Sequence, residues 1–282
     1  MEFKKGYSTL PKEEKARVVR QYICEINLSN KLRNANDTER LGLYSKVYDD
    51  FFKSQPDHPM VKRTKNKVYS RDRSKRHASL IRRFSKSTDI ILEIGCGDCG
   101  TSIELSKYCK KVIGVDVTRE LKESKLPYNF NFQLSDGVSI NTKESSVNIV
   151  YSNMLIEHLH PKDAKTQTKN AYKVLKKGGM YICSTVHKYF GPADVSLYFE
   201  NTPKGFHLKE YSNFELYKLF KKCGFSKMWL YTGIRRHPIK LPIYFSIFIE
   251  FILGSFPYEI RKKLSQQTIF RKFINGQFIA IK

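Results

Sequence analysis

The sequence predicts an α/β fold: a doubly wound, mostly parallel sheet of seven strands, with a helical extension before it and a helical insert ahead of the last strand. Three observations predict this. Short apolar, β-branched runs recur along residues 89–282, helical patterns alternate with several of them, and a glycine-rich step joins the first run to the first helix. The runs are Ile90–Ile94, Lys111–Asp116, Phe130–Leu134, Val147–Tyr151, Met180–Ser184, Lys227–Tyr231 and Gln277–Ile281. Helices are expected at Thr101–Cys109, Pro161–Leu175 and Asn213–Cys223. Continuous apolar runs such as Ile90-Ile91-Leu92 suit strands buried on both faces, as in parallel sheets.

Residues 1–86 read as a basic helical extension, and 87–282 as the α/β domain. A helix is expected to start at Pro11, carrying the stripe Val18, Val19, Tyr22, Ile23 and Ile26. Asn30–Asp37 reads as a loop. A second helix follows with Leu41, Leu43, Tyr44, Val47, Tyr48, Phe51 and Phe52 on or near one face, until Pro56 and Pro59 break it.

The chain of 282 residues carries 51 Lys and Arg against 27 Asp and Glu, a formal +24. Residues 1–86 hold 22 basic and 10 acidic side chains, and the stretch 61–86 holds 11 basic ones against Asp72 alone. Such a field attracts nucleic acid, anionic membrane or phosphorylated substrates without choosing among them, and lysines spread over solvated faces account for it equally well. Six cysteines stand without paired spacings, which suits free thiols in a reducing cytoplasm. No signal-like apolar leader opens the chain, and no run reaches the roughly 18–20 apolar residues that cross a bilayer.

Gly95-Cys96-Gly97-Asp98-Cys99-Gly100 lies between a predicted strand and a predicted helix, where glycines let backbone N–H groups approach a ligand. The next strand ends on Asp116, a carboxylate placed to accept both hydroxyls of a ribose. Two ligands fit that unit, a nicotinamide dinucleotide and S-adenosylmethionine. Glu93 stands two residues before Gly95, where its charge burdens a pyrophosphate but not a sulfonium with an amino-acid tail. This favours the methyl donor.

With Leu92-Glu93-Ile94-Gly95-Cys96-Gly97, Gly114-Val115-Asp116, Ser135-Asp136-Gly137, Tyr151-Ser152-Asn153, Glu157-His158-Leu159 and Val174-Leu175-Lys176-Lys177-Gly178-Gly179, the chain resembles the class I methyltransferases that bind S-adenosylmethionine. Phe206–Tyr211 and Cys223-Gly224-Phe225 extend the likeness. The resemblance implies a Rossmann-like domain. It implies a Gly95–Gly97 loop, Cys96 included, facing the methionine part of the cofactor, with Asp116 on the ribose. Asp136 would lie near the adenine amino group and Asn153 beside the methyl group, with Val117 and Gly137 completing the cofactor set. Two departures stand out: Asn148 opens the fourth strand where Asp is frequent, and Cys99 occupies a position that is often glycine.

Methyl transfer from a sulfonium needs alignment and exclusion of water, and a base only when the acceptor must lose a proton. His158, His187 and His207 are the candidates for that base, each with a bland alternative as a turn, cap or packing residue. No metal is expected: Met154 stands where a Glu-x-x-Glu-His motif would have its first carboxylate. Nor do Cys96 and Cys99 find a second pair to complete a zinc site.

The expected activity is methyl transfer to an O or N atom of a small, sugar- or lipid-linked, anionic acceptor, drawing on residues 187–207 for the pocket. The insert, 232–275, reads as a helical cover over that pocket; the alternative is a peripheral membrane contact through 241–256, apolar with basic flanks. Two further alternatives stay open. One is an RNA methyltransferase gripping its substrate with 61–86. The other is a non-catalytic scaffold keeping the cofactor fold.

Overall fold

In the computed structural model, residues 1–59, 61–62, 66–118, 126–234 and 237–282 are described. Parts of the basic stretch 61–86, at 63–65, and of the insert, at 235–236, lie outside these residues. Eight strands form one sheet: β1 (Ile90–Ile94), β2 (Lys111–Asp116), β3 (Phe130–Leu134), β4 (Val147–Asn153), β5 (Leu175–Thr185), β6 (Lys227–Ile234), β7 (His237–Pro242) and β8 (Gly276–Ile281). Their order is β3-β2-β1-β4-β5-β8-β6-β7. The first five are parallel, and β8 runs antiparallel to both β5 and β6.

The helices are α1 (Lys12–Asn34), α2 (Asp37–Ser54), α3 (Lys67–Arg82), α4 (Gly100–Ser106), α5 (Pro161–Val174), α6 (Asn213–Lys222), α7 (Ile243–Gly254), α8 (Tyr258–Gln266) and α9 (Thr268–Phe273). Strand alternation divides the core. Leu92, Ile94, Ile113, Val115 and Val150 face a cluster shared with Leu28 and Leu32 of α1, Tyr44, Val47 and Phe51 of α2, and residues of α5 and α6. Ile91, Val112, Ile149 and Ile182 face Ala78 and Ile81 of α3 and Leu105 of α4. Each run of apolar residues thus serves two cores.

Two expectations change. α1 continues through Asn30, where a loop was expected, because Leu28 and Leu32 carry its buried face onward. The break comes at Ala35, and Asn36 opens α2 with a capping box: its side chain accepts from the Thr38 and Glu39 backbone N–H groups, and the Glu39 carboxylate accepts from the Asn36 N–H. The sheet has eight strands rather than seven, because the insert opens with β7, a hairpin partner that pairs with β6 from Trp229↔Pro242 to Ile234↔His237. Only the rest of the insert is helical.

α2 is anchored by a buried network. Arg40, 1% exposed, bonds Asp163 at the start of α5 through Nε (2.6 Å) and Nη2 (3.0 Å). Tyr44 Oη donates to the same carboxylate at 2.8 Å and accepts from the His160 backbone N–H at 2.9 Å. α1 is tied further along: Arg33 donates to the Gly205, His207 and Leu208 carbonyls, and Glu25 accepts from the Phe206 N–H. The N-terminal helices are therefore walls of the α/β unit.

Candidate functional site

The strand order reverses between β1 and β4, and open α/β sheets bind ligands at the carboxyl ends of their strands beside such a point. The Gly95–Gly100 step leaves β1 there. Gly95 and Gly97 hold φ of +74° and +51°, the left-handed region that side chains rarely adopt. A Cβ on Gly97 would meet no heavy atom within 4 Å, so its backbone borders open space. The Gly95 and Cys96 N–H groups donate to the Val115 carbonyl, locking the loop onto β2.

Asp116 closes the far side. Its carboxylate accepts from the Gly97 N–H at 2.7 Å and from the Thr118 N–H at 3.2 Å. Burial pushes its pKa up, and those N–H bonds, with that of Val117, oppose the rise. Val117 is partly buried on the core beside it. Replacing Asp116 with Ala is expected to weaken S-adenosylhomocysteine binding by about 1–3 kcal/mol, the cost of unpaired buried donors. Calorimetry of that variant checks this, and an unchanged affinity would remove Asp116 from the pocket.

Glu93 is buried and accepts from Ser102 Oγ of α4 at 2.5 Å, bracing strand against helix. Burial pushes its carboxyl up to about 8, against the opposing Ser102 bond. Its folded pKa stands above the unfolded value. Its stabilising contribution is therefore complete below about 4.5 and lost as pH rises toward about 8. Glu25, pushed up to about 7 by burial, loses its contribution over an overlapping range. The difference between wild type and Glu93→Gln isolates the first group: the variant's Tm should fall less between pH 5 and 8 than the wild type's, because the carboxyl loses its proton over that window only in the wild type.

Behind the loop, α3 of the basic extension supplies a clamp. Ser70 Oγ and Arg73 bond Asp98 at 2.7 and 2.8 Å, and Tyr151 Oη meets His77 Nδ1 at 2.8 Å. Arg73, inside the stretch that the alternative RNA reading would use to grip its substrate, bonds the loop. Cys96 and Cys99 are buried, with sulfurs 3.7 Å apart. Asp136 turns inward: its oxygens accept from the Val138 and Ser139 N–H groups and from Ser139 Oγ. Gly137 holds φ +94° with the Tyr44 ring 2.7 Å from where a Cβ would stand, so α2 packs over this turn.

Asn153 ends β4, half-buried, and Met154 turns the chain with φ +53°. Beyond it, Glu157, His158 and His207 each place one potential ligand atom within 4.8 Å of the others. Glu157 is fully buried; Thr185 Oγ1 donates to its Oε2 at 2.7 Å, while Oε1 is without a partner. Burial raises its pKa. His158 Nδ1 lies 3.2 Å from the Phe206 carbonyl, an atom that only accepts, so Nδ1 carries the proton and Nε2 keeps the lone pair. Burial first, then the His207 charge, push the His158 pKa down to about 3. Burial alone lowers His207, but its Glu210 hydrogen bond (2.8 Å) and the charges of Glu157, Asp194 and Glu210 more than offset this and raise it.

His187 has a different place from that expected of a base. It is fully buried, its Nε2 lies 2.6 Å from Glu250 Oε1 of α7, and its Nδ1 accepts from the Tyr189 N–H. Nε2 thus ties the insert to the end of β5, and Nδ1 closes a local turn. Tyr48, by contrast, shows in the sequence only as one residue of a helical stripe. It stacks on Phe206 at 5.1 Å and stands 6.2 Å from His158. Burial raises its phenol pKa well above the usual value, and the nearby charges of Tyr44, Glu25, Glu157 and Asp116 add to the rise.

Residues 91–179 match the model of a family described as a methyltransferase domain. A ubiquinone biosynthesis O-methyltransferase of Coxiella burnetii is 29% identical over 166 residues, covering 53% of this chain and 68% of that protein. Among solved structures, the complex of a Haloferax volcanii methyltransferase activator with a putative methyltransferase matches with a TM-score of 0.52 at 15% identity, over 78% of this chain and 92% of that one. Haemonchus contortus phosphoethanolamine N-methyltransferase 1, solved with phosphoethanolamine and S-adenosylhomocysteine, matches with a TM-score of 0.52 at 16% identity, over 83% and 54%. These two share the fold.

Proposed function

We propose that the chain, a class I methyltransferase by the match of residues 91–179 and a user of S-adenosylmethionine, methylates a hydroxyl oxygen of a small acceptor. The observation that carries this is the cluster of Glu157, His158 and His207 just past Asn153, which offers a lone pair and an unpartnered carboxylate oxygen. The similarity to the Coxiella O-methyltransferase supports the same choice of atom.

The residues divide the work. The Gly95–Gly97 backbone and Asp116 would hold the cofactor, which supplies an electrophilic methyl group on a sulfonium. His158 Nε2 accepts the acceptor's hydroxyl proton as the oxygen attacks. Glu157 lies beside it, where an ionised carboxylate would offset the charge that His158 then gains. Tyr48 and Phe206 form an apolar wall that excludes water. The scheme assigns no step to a metal ion, although Glu157, His158 and His207 stand close enough together to hold one. An anionic, sugar- or lipid-linked acceptor fits the basic character of the chain.

The test is transfer of labelled methyl from S-adenosylmethionine to panels of small phenols and sugar- or lipid-linked alcohols, with amines and RNA in parallel. Label on oxygen of a small acceptor, retained after chelation and dialysis, is the expected result. Label on RNA, or on amine nitrogen alone, would overturn the assignment.

A further inference from the structure

We propose that the outer face of the α7–α9 insert docks the protein onto an anionic phospholipid surface. α7 has the sequence Ile-Tyr-Phe-Ser-Ile-Phe-Ile-Glu-Phe-Ile-Leu-Gly and buries Ile243, Ser246, Glu250 and Leu253, a single stripe at helical spacing. The Glu250 carboxylate within that stripe takes His187 and the Asn213 and Phe214 N–H groups, so the inner face is satisfied. The opposite face is open: Tyr244, Phe245, Phe248, Phe251 and Ile252 are 62, 49, 63, 80 and 44% exposed. Ile260 on α8 and Ile269 on α9 are 49 and 65% exposed. Aromatic and aliphatic side chains of this size, clustered on consecutive packed helices, mark an interaction surface rather than ordinary scatter.

Charge selects the occupant. Lys263, Arg271 and Lys272 are exposed on α8 and α9, with Arg261 and Lys262 half-exposed, against a single exposed acid, Glu259. A second copy of the chain would bring two such basic rims together on molecules of formal charge +24. An anionic bilayer removes that conflict and accepts apolar side chains without needing a complementary shape. Nucleic acid meets the charge but leaves Phe248, Phe251 and Ile252 nothing apolar to enter. No described helix is long and apolar enough to cross a membrane, so the helices would lie on the surface. The insert is thus both cover and contact: one face closes the end of β5 and the other meets lipid. The inference goes beyond the assignment of the acceptor and stands whichever acceptor is methylated.

The test is co-sedimentation of the full chain with phosphatidylcholine vesicles, with and without phosphatidylglycerol. Binding to the anionic vesicles should exceed that to the neutral ones by about tenfold or more. The double variant Phe248→Glu/Phe251→Glu should lose about tenfold or more of it, while its S-adenosylhomocysteine affinity stays that of wild type, showing that it folds. Lys263→Gln/Arg271→Gln/Lys272→Gln should abolish the preference for anionic lipid. Wild-type protein left in the supernatant with both vesicles, or sedimentation of the Phe variant equal to wild type, overturns the proposal. So does self-association that the Phe variant abolishes without any vesicle binding, which would assign the face to a second copy.

Discussion

His158→Ala is expected to lower kcat by about 10²–10⁴-fold, the usual share of a positioned general base, while S-adenosylhomocysteine affinity stays near wild type. The expectation follows from the tautomer. The Phe206 carbonyl requires a proton on Nδ1, which leaves Nε2 as the accepting atom. Glu157→Gln should move the pH profile of kcat instead of abolishing turnover, because that carboxylate acts through the imidazole. A purely structural role for His158 predicts something else: a lower Tm, with a preserved kcat in the fraction that folds. Steady-state rates and thermal melts of the two variants separate these cases.

Arg40→Ala should destabilise the protein by about 3–5 kcal/mol, the range for breaking a buried ion pair and leaving one partner uncompensated. Arg40 and Asp163 are 1% and 7% exposed at their side chains, and Tyr44 completes the network. Loss of the guanidinium leaves a buried carboxylate at the start of α5. The consequence reaches the site, since α2 carries Tyr44 over Gly137 and Tyr48 beside His158. Denaturant unfolding measures the first effect. Cofactor affinity, measured at a temperature where the variant is still folded, should fall with it. A variant as stable as wild type would show that α2 is held by its apolar contacts alone.

The parts of this molecule that were legible in the sequence are those with local signals. β1 and β2 are apolar and β-branched, and the glycine step between β1 and α4 combines a turn requirement with a strand before and a helix after. What the sequence concealed depends on partners far along the chain. β7 contains Pro238 and ends at Pro242, which argues against a central strand; at the sheet edge, beside β6 alone, proline is tolerated. α7 is apolar nearly all round, so periodicity could not say which face is buried until Glu250 is seen to pair with His187, 63 residues earlier.

The candidate site divides in the same way. Glu93, Gly95, Gly97 and Asp116 come together at the end of β1 because they occupy adjacent strand ends. Asp136 was expected to face adenine, yet its carboxylate is drawn into its own turn by the Ser139 hydroxyl and two N–H groups. Among the histidines, His158 and His207 meet, with ring centroids 4.9 Å apart, whereas His187 is drawn into the insert. Tyr48 carried no signal beyond helical spacing. Its role emerges only once Arg40 and Tyr44 have fixed α2 against α5.

Calorimetric titration with S-adenosylhomocysteine, with NAD as control, tests most directly the proposed pocket of the Gly95–Gly97 backbone and Asp116. Saturable binding of the first, with no heat from the second, is the predicted result. Binding of NAD in its place, or of neither, would contradict it.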